Sequence, residues 1–451
     1  NKKKTRKYIM ENKLFTEEKI SIAYIRLAMP LVMSMVVSLV YNLADTFFVA
    51  QTNNTALVAG VSLGAPIFTL LMAFGNIFGQ GGSSLISRLL GQQNPDGVRR
   101  ASSFCFYVTL MVGVVVGIIM LVFRTPILYL IGADAETFSY ASEYYTWLAI
   151  GSPVVMASFI HSNLLRSEGL SKESMIGTIG GAVVNIILDP ILISGLAMGA
   201  SGAAIATVIG YVFSDVFFLF IVVKKSSCLS IRPREIPIPA RHASQILIVG
   251  IPAAITNLMQ SLSIVLVNQF LLPYGNEKIA AMGIVLKVSM IALLILTGLA
   301  FGGQPLFGYC FGAMDKKRLR ELFSFTIRFI SAVALVLTAA LFILAPVLMR
   351  CFMDNEQIVS DGTVMLRWQV VSMVFVGIVL LITIIFQSAG KALGSFLLSI
   401  SRQGVVFLVV LMVAVRVAGY SGILASQAIA DVITAVFALI LCRTLLKKEL
   451  F

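Results

Sequence analysis

Twelve stretches of this chain are each long and apolar enough to cross a bilayer, and that feature constrains its fold most strongly. A crossing needs about 20 mainly apolar residues. The stretches run over residues 22–50, 57–80, 101–123, 138–161, 175–195, 201–223, 244–271, 278–306, 322–349, 360–387, 395–415 and 420–443. Several exceed the length of a straight crossing, which implies tilt, kinks or extension beyond the hydrocarbon. Of the 451 residues, 58% are hydrophobic and 12% charged, and the mean hydropathy is +0.95. A soluble domain carries about 25% charge, so a soluble enzyme is excluded, as is a disordered chain, which needs the opposite bias. Barrel strands would alternate apolar and polar residues. The expected fold is an all-α polytopic membrane protein of twelve transmembrane helices.

The net charge of +13 would suggest nucleic acid in a soluble protein. Here it follows topology: with the N-terminus cytoplasmic, 28 of the 34 Lys and Arg fall on the cytoplasmic side. Arg88, Lys391 and Arg402 are counted there as loop residues. Arg124, Lys278, Lys287, Arg350, Arg367 and Arg416 remain elsewhere. This split places both termini in the cytoplasm and the chain in the cell inner membrane, with the bilayer as a partner and nucleic acid not. The basic start, Asn1 to Lys7, does not resemble a cleaved signal, and Met10 is a candidate natural start.

The chain is also internally duplicated, at an offset near 220 residues. Leu27-Ala28-Met29-Pro30 opens the first span as Val249-Gly250-Ile251-Pro252 opens the seventh. Gly91 before a charged stretch mirrors Gly312, Thr125-Pro126-Ile127-Leu128 mirrors Ala345-Pro346-Val347-Leu348, and Gly199-Ala200-Ser201-Gly202 mirrors Gly419-Tyr420-Ser421-Gly422. The expected organisation is a tail (1–21), a six-span lobe (22–223), a linker (224–243), a second six-span lobe (244–443) and a C-terminal tail (444–451). Two pseudo-symmetric lobes of equal orientation favour a transporter. No phosphate-binding loop is present, so transport is passive or driven by an ion gradient. No enzyme activity, cofactor or oligomer is expected.

Ionisable residues inside a span are costly and therefore functional candidates. Asp45 lies deep in the first span, with Asn42 one turn earlier. Asn185 and Asp189 share one face of the fifth span, Pro190 frees a backbone carbonyl, and Thr207 lies in the sixth. These oxygens suit a small hard cation. Two carboxylates in a low-dielectric site would bind a proton or share a cation. Pro30 can hinge the first span or kink it statically. Gln260, Lys287 and Asp431, with Gln427 one turn before it, are secondary candidates, as structural as they are functional. Asp215 is expected to reach interfacial water. Neither His161 nor His242 lies at mid-membrane, and the five Cys show no metal or disulfide spacing.

The Pro30 to Asp45 stretch, Val184-Asn185-Ile186-Ile187-Leu188-Asp189-Pro190-Ile191 and Leu165-Arg166-Ser167-Glu168-Gly169 resemble the multidrug and toxic compound extrusion (MATE) transporters, over nearly the whole chain. The resemblance implies a MATE-like fold and exchange of sodium or protons for amphipathic, often cationic compounds. Asp45, Asn185, Asp189 and Thr207 would then form the coupling site, a metal site in the case of sodium. The oxygen set leans to sodium over protons, and Pro30 would let the first span bend. Some members carry a Glu eight residues after the seventh-span proline and an Asp in the tenth span. Here Gln260 stands at the first position and the tenth span has no mid-membrane acid, which shifts coupling to the first lobe. The substrate is a small molecule, and the transporter is expected as a monomer. Alternatives are a dedicated exporter of one natural product and a lipid-linked precursor flippase, the latter disfavoured by the scarcity of mid-membrane Arg.

Overall fold

Apolar surroundings leave backbone groups no partner outside the chain, so a span must satisfy its own hydrogen bonds as a helix. The computed structural model bears this out: among the described residues there are helices and no strands. It describes residues 13–352 and 355–450, apart from the side chains of Leu258, Ser261 and Asn276. The basic residues Lys2, Lys3, Lys4, Arg6 and Lys7 and the candidate start Met10 lie outside the described residues.

The first six spans are Ile20–Ala50, Thr55–Gly91, Pro95–Val122, Phe138–Ser167, Ser171–Gly195 and Gly199–Lys224. The seventh to ninth are Ala240–Tyr274, Glu277–Ala313 and Lys316–Phe352. The tenth is Glu356–Val371 with Met373–Ala389, bent by 41° between them. The last stretch, Ala392–Leu445, is 54 residues of helix; straight, it would measure about 80 Å, far beyond a bilayer. It is two spans. Gly419, at φ 53° and ψ −126°, breaks the helix, and a Cβ on Gly422 would lie 1.9 Å from the carbonyl oxygen of Ala414, so the segments on either side of Gly419 pack on each other. Several helices run beyond the apolar stretches that mark them, to Gly91, Ser167 and Ala313 rather than 80, 161 and 306, because polar and charged residues extend a helix once it leaves the hydrocarbon. Arg88 consequently sits in the second-span helix, buried, and not in a loop.

The duplication is written into the backbone. Residues with positive φ recur in pairs along the two halves: Asn53 with Gly275, Gln93 with Met314, Gly169 with Gly390, Gly199 with Gly419. Turns that require the left-handed region are therefore kept in register even where the residue type has changed.

The chain forms two compact units. One holds Met33–Ile251 with the described residues up to Glu18; the other holds Lys19–Val32 and the chain from Pro252 onward. The division differs from the lobes 22–223 and 244–443 in the first and seventh spans, each shared between units at a point next to its proline, Pro30 or Pro252. Within the second unit, the Tyr24 hydroxyl donates to the carbonyl of Leu299 at 2.6 Å, and its ring meets Phe325 and Phe329 edge-on. Within the first, the segment after Lys224 is fastened rather than loose. Buried Glu168, at the end of the fourth span, accepts from Ser226 Oγ (2.5 Å), Ser227 N (2.7 Å) and Cys228 N (2.6 Å), while Ser102 and Ser103 donate to the carbonyl of Ser230.

Candidate functional site

In the first unit the fifth span presents Asn185 and Asp189 one turn apart, both buried, Asp189 completely. An amide nitrogen cannot donate to an N–H, which fixes the orientation of Asn185. Its NH2 donates to Asp189 Oδ2 at 3.2 Å, and its oxygen accepts from the backbone N–H of Thr207 at 3.0 Å. The Thr207 hydroxyl lies 3.4 Å from the same amide. Past Pro190 the helix widens into a π-helical turn, Ile191–Gly195, as expected where a proline removes an N–H.

The first span brings Asp45 within electrostatic range of Asp189. Each carboxylate keeps one oxygen, Oδ1, sealed from solvent and without a hydrogen-bond donor. Buried acceptors are nearly always satisfied, so two such oxygens in one lobe mark a place for a cation or protons. Tyr41, one turn before Asp45, and Tyr144 of the fourth span converge on the Thr207 side chain. A small cleft adjoins this cluster, lined by Ser38, Tyr41, Asn185, Thr207, Tyr211 and Ser214. Gly181 also lines it. A Cβ there would fall 2.0 Å from Ser214 Oγ and 2.5 Å from the Gly210 carbonyl oxygen, so only glycine lets the fifth and sixth spans approach this closely.

Asn42 does not join the acids: it is exposed and donates to the Ser38 carbonyl. Asp215 does not reach water as expected. It is 9% exposed, with one oxygen sealed and unbonded, in hydrogen-bonding range of Ser158 and near Tyr211. The tyrosines were not legible as site residues, because aromatic side chains in a span read as packing or lipid contact; the one available signal was the one-turn spacing of Tyr41 from Asp45. Among the described residues no group of three His, Cys, Asp or Glu side chains could hold a metal; the oxygens the cluster offers are those of carboxylates and a hydroxyl, which are hard donors.

The second unit differs. Gln260 and Lys287 are exposed and do not meet Asp431. Asp431 is 1% exposed and fully engaged: Arg402 Nε donates to its Oδ1 at 3.1 Å, Gln427 Nε2 to the same oxygen at 3.1 Å, and the Ser372 hydroxyl to Oδ2 at 2.8 Å. Arg402 is therefore not a loop residue counted for topology. It lies in the π-helical stretch Ser401–Val405 of the eleventh span, its side chain 13% exposed. Lys278 is also paired, with Asp361, and lies over the ring of Tyr420.

The MatE family profile matches residues 30–191 and again 252–413, once in each half. The chain is 31% identical to the multidrug export protein MepA of Staphylococcus haemolyticus (strain JCSC1435), over 96% of this chain and 95% of that protein. It is 32% identical to MepA of Staphylococcus saprophyticus subsp. saprophyticus, over 96% of each. Among solved structures, a crystal structure of MATE in complex with MaD3S aligns with a TM-score of 0.91 at 25% identity, covering 97% of this chain and 98% of that one. An outward-facing conformation of a multidrug resistance MATE family transporter aligns at 0.90 and 24%, with the same coverage, and supports the fold. With both halves matched and relatives above 30% identity along nearly the entire chain, this multi-pass membrane protein belongs to the MatE family.

Proposed function

We propose that the protein is a cation-coupled antiporter that exports amphipathic, often cationic compounds across the cytoplasmic membrane, with both termini inside and Asp45 and Asp189 as the coupling acids. The observation that carries this reading is a pair of carboxylates in one lobe, Asp189 buried and Asp45 half-buried, each with a sealed oxygen lacking any donor. Without a cation the two negative charges repel in a low-dielectric site. A proton or sodium ion relieves that repulsion; a cationic substrate in the adjoining cleft does the same and competes for the site. Different cation and substrate affinities in the two facing states then drive exchange. Pro30, beside the point where the chain passes between the units, serves as the hinge of the first span. The names of the curated relatives support multidrug export as the cargo class.

Two coupling ions fit different observations. The free oxygens of Asp45 and Asp189, with the Thr207 hydroxyl, favour sodium. The Asn185 amide turns its nitrogen toward Asp189 and gives its oxygen to the Thr207 N–H, so it offers a sodium ion no free oxygen, which favours a proton as the coupling ion. Reconstituted export of a fluorescent cation under an imposed sodium or proton gradient decides between them. Export by Asp45→Asn and Asp189→Asn at the wild-type rate and gradient dependence would sink the coupling assignment.

A further inference from the structure

We propose that the second half contains, at positions that in the first half border the cleft beside the coupling acids, a cation site whose cation is the protein's own Arg402 guanidinium. The paired positive-φ glycines give the register. Twelve residues after Gly169 comes Gly181, and twelve after its partner Gly390 comes Arg402. Twelve residues after Gly199 comes Tyr211, and twelve after Gly419 comes Asp431. Eight residues after the same two glycines come Thr207 and Gln427. In the first half Gly181, Thr207 and Tyr211 border the open cleft beside the coupling acids. In the second half the corresponding positions hold a cation, an amide and a carboxylate bonded to one another.

The local backbone accommodates the exchange. Gly181 allows a close helix contact; Arg402 needs room, and its helix supplies it through a π-helical stretch with a non-helical residue at Gly404. Such widenings displace a side chain from the regular helical register. The guanidinium then lies against a carboxylate whose second oxygen is taken by Ser372. A buried carboxylate in hydrocarbon surroundings requires a compensating charge. A free ion can supply it and leave; a tethered guanidinium supplies it permanently. The second half therefore holds a latent site for a planar monovalent cation of the guanidinium class, closed in the native protein by its own side chain. The inference rests on the geometry of this pair and goes beyond the coupling reading.

Chemical rescue of the purified full-length protein tests it without any transport measurement. Arg402→Ala should lower Tm by roughly 5 °C, as loss of one partner from a buried pair implies for a chain of this length. Guanidinium at non-denaturing, millimolar concentration should restore about half of that loss by binding only the folded state, where sodium chloride and urea at equal concentration do not. Arg402→Met combined with Asp431→Asn leaves no charge to compensate; it should melt close to wild type with no guanidinium response. Should Arg402→Ala respond equally to sodium, guanidinium and urea, or the double variant respond to guanidinium as strongly as the single one, the proposal is overturned. If Arg402→Ala does not fold, the neutral Arg402→Gln replaces it, and the proposal then fails if guanidinium stabilises Arg402→Gln no more than the double variant. Normal export by Asp45→Asn and Asp189→Asn would overturn the coupling reading alone and leave this result standing.

Discussion

The two halves share one scaffold and treat their buried acids in opposite ways. In the first, buried Asp189 and half-buried Asp45 keep unbonded oxygens beside a polar cleft. In the second, buried Asp431 has three donors and a fixed positive partner. Turn geometry has been held constant across the duplication while side chains diverged, so the scaffold and the site are separable. An acid with an unfilled coordination shell suits exchange; one with a filled shell suits rigidity. On the proposed coupling reading, the difference teaches that a buried acid in a span serves exchange only when its partners are incomplete.

The strongest test of that contrast is to strand a charge in each half. Asp431→Ala leaves the Arg402 guanidinium buried without a partner and should destabilise the protein by about 3–5 kcal/mol, read as a lowered Tm in detergent. Asp189→Asn removes a charge that has no counter-ion, so its Tm should hold or rise, while gradient-driven export falls at least ~10-fold, within the usual range of a coupling energy. If both variants lose stability equally, the first-half acids are structural and the contrast fails.

A second test uses the shared scaffold. A Cβ on Gly202 would lie 2.7 Å from the Leu192 carbonyl, and one on Gly422 1.9 Å from that of Ala414. Both glycines hold the hairpin between the last two spans of their half. Gly202→Val and Gly422→Val should each cost about 1–3 kcal/mol by overpacking, with similar Tm losses. Similar losses here, against unequal losses for the acids, would sharpen the separation of scaffold from chemistry; a loss confined to one half would break it.

Most of the fold was legible in the sequence, because span length and hydropathy are large signals that survive any packing detail. The repeat was legible for the same reason: prolines and glycines at Pro30 and Pro252, or Gly199 and Gly419, mark backbone requirements rather than contacts. Asp45, Asn185, Asp189 and Thr207 stood out because polar groups in hydrocarbon are expensive. What stayed hidden depended on direction and partnership. Arg402 lies near a span end, where an arginine counts toward topology, and only its helical register turns it to Asp431. Asp215 is close enough to a helix end to suggest water, yet Ser158 and Tyr211 enclose it. Tyr144 and Tyr211 carry no positional signal distinct from ordinary aromatic packing, and Tyr41 carries only its one-turn spacing from Asp45.

The smallest and most discriminating effect is expected at the matched pair Thr207 and Gln427. Each stands eight residues beyond its hairpin glycine, and each meets a polar partner on a neighbouring turn or span. Gln427 only completes the shell of an acid already neutralised by Arg402. Gln427→Met should therefore cost about 1 kcal/mol of stability, the net worth of one hydrogen bond, and leave the cation dependence of export unchanged. On the proposed coupling reading, the Thr207 hydroxyl, which Tyr41 and Tyr144 also approach, lends its oxygen to an entering ion. Thr207→Val keeps the shape and removes that oxygen, so Tm should move little while the cation concentration for half-maximal export rises about fivefold, equivalent to roughly 1 kcal/mol of lost ligation. Measuring both quantities on both variants separates a ligand from a brace: a rise in the half-maximal cation concentration for Gln427→Met would give the second half a part in coupling, and no rise for Thr207→Val would take this hydroxyl out of it.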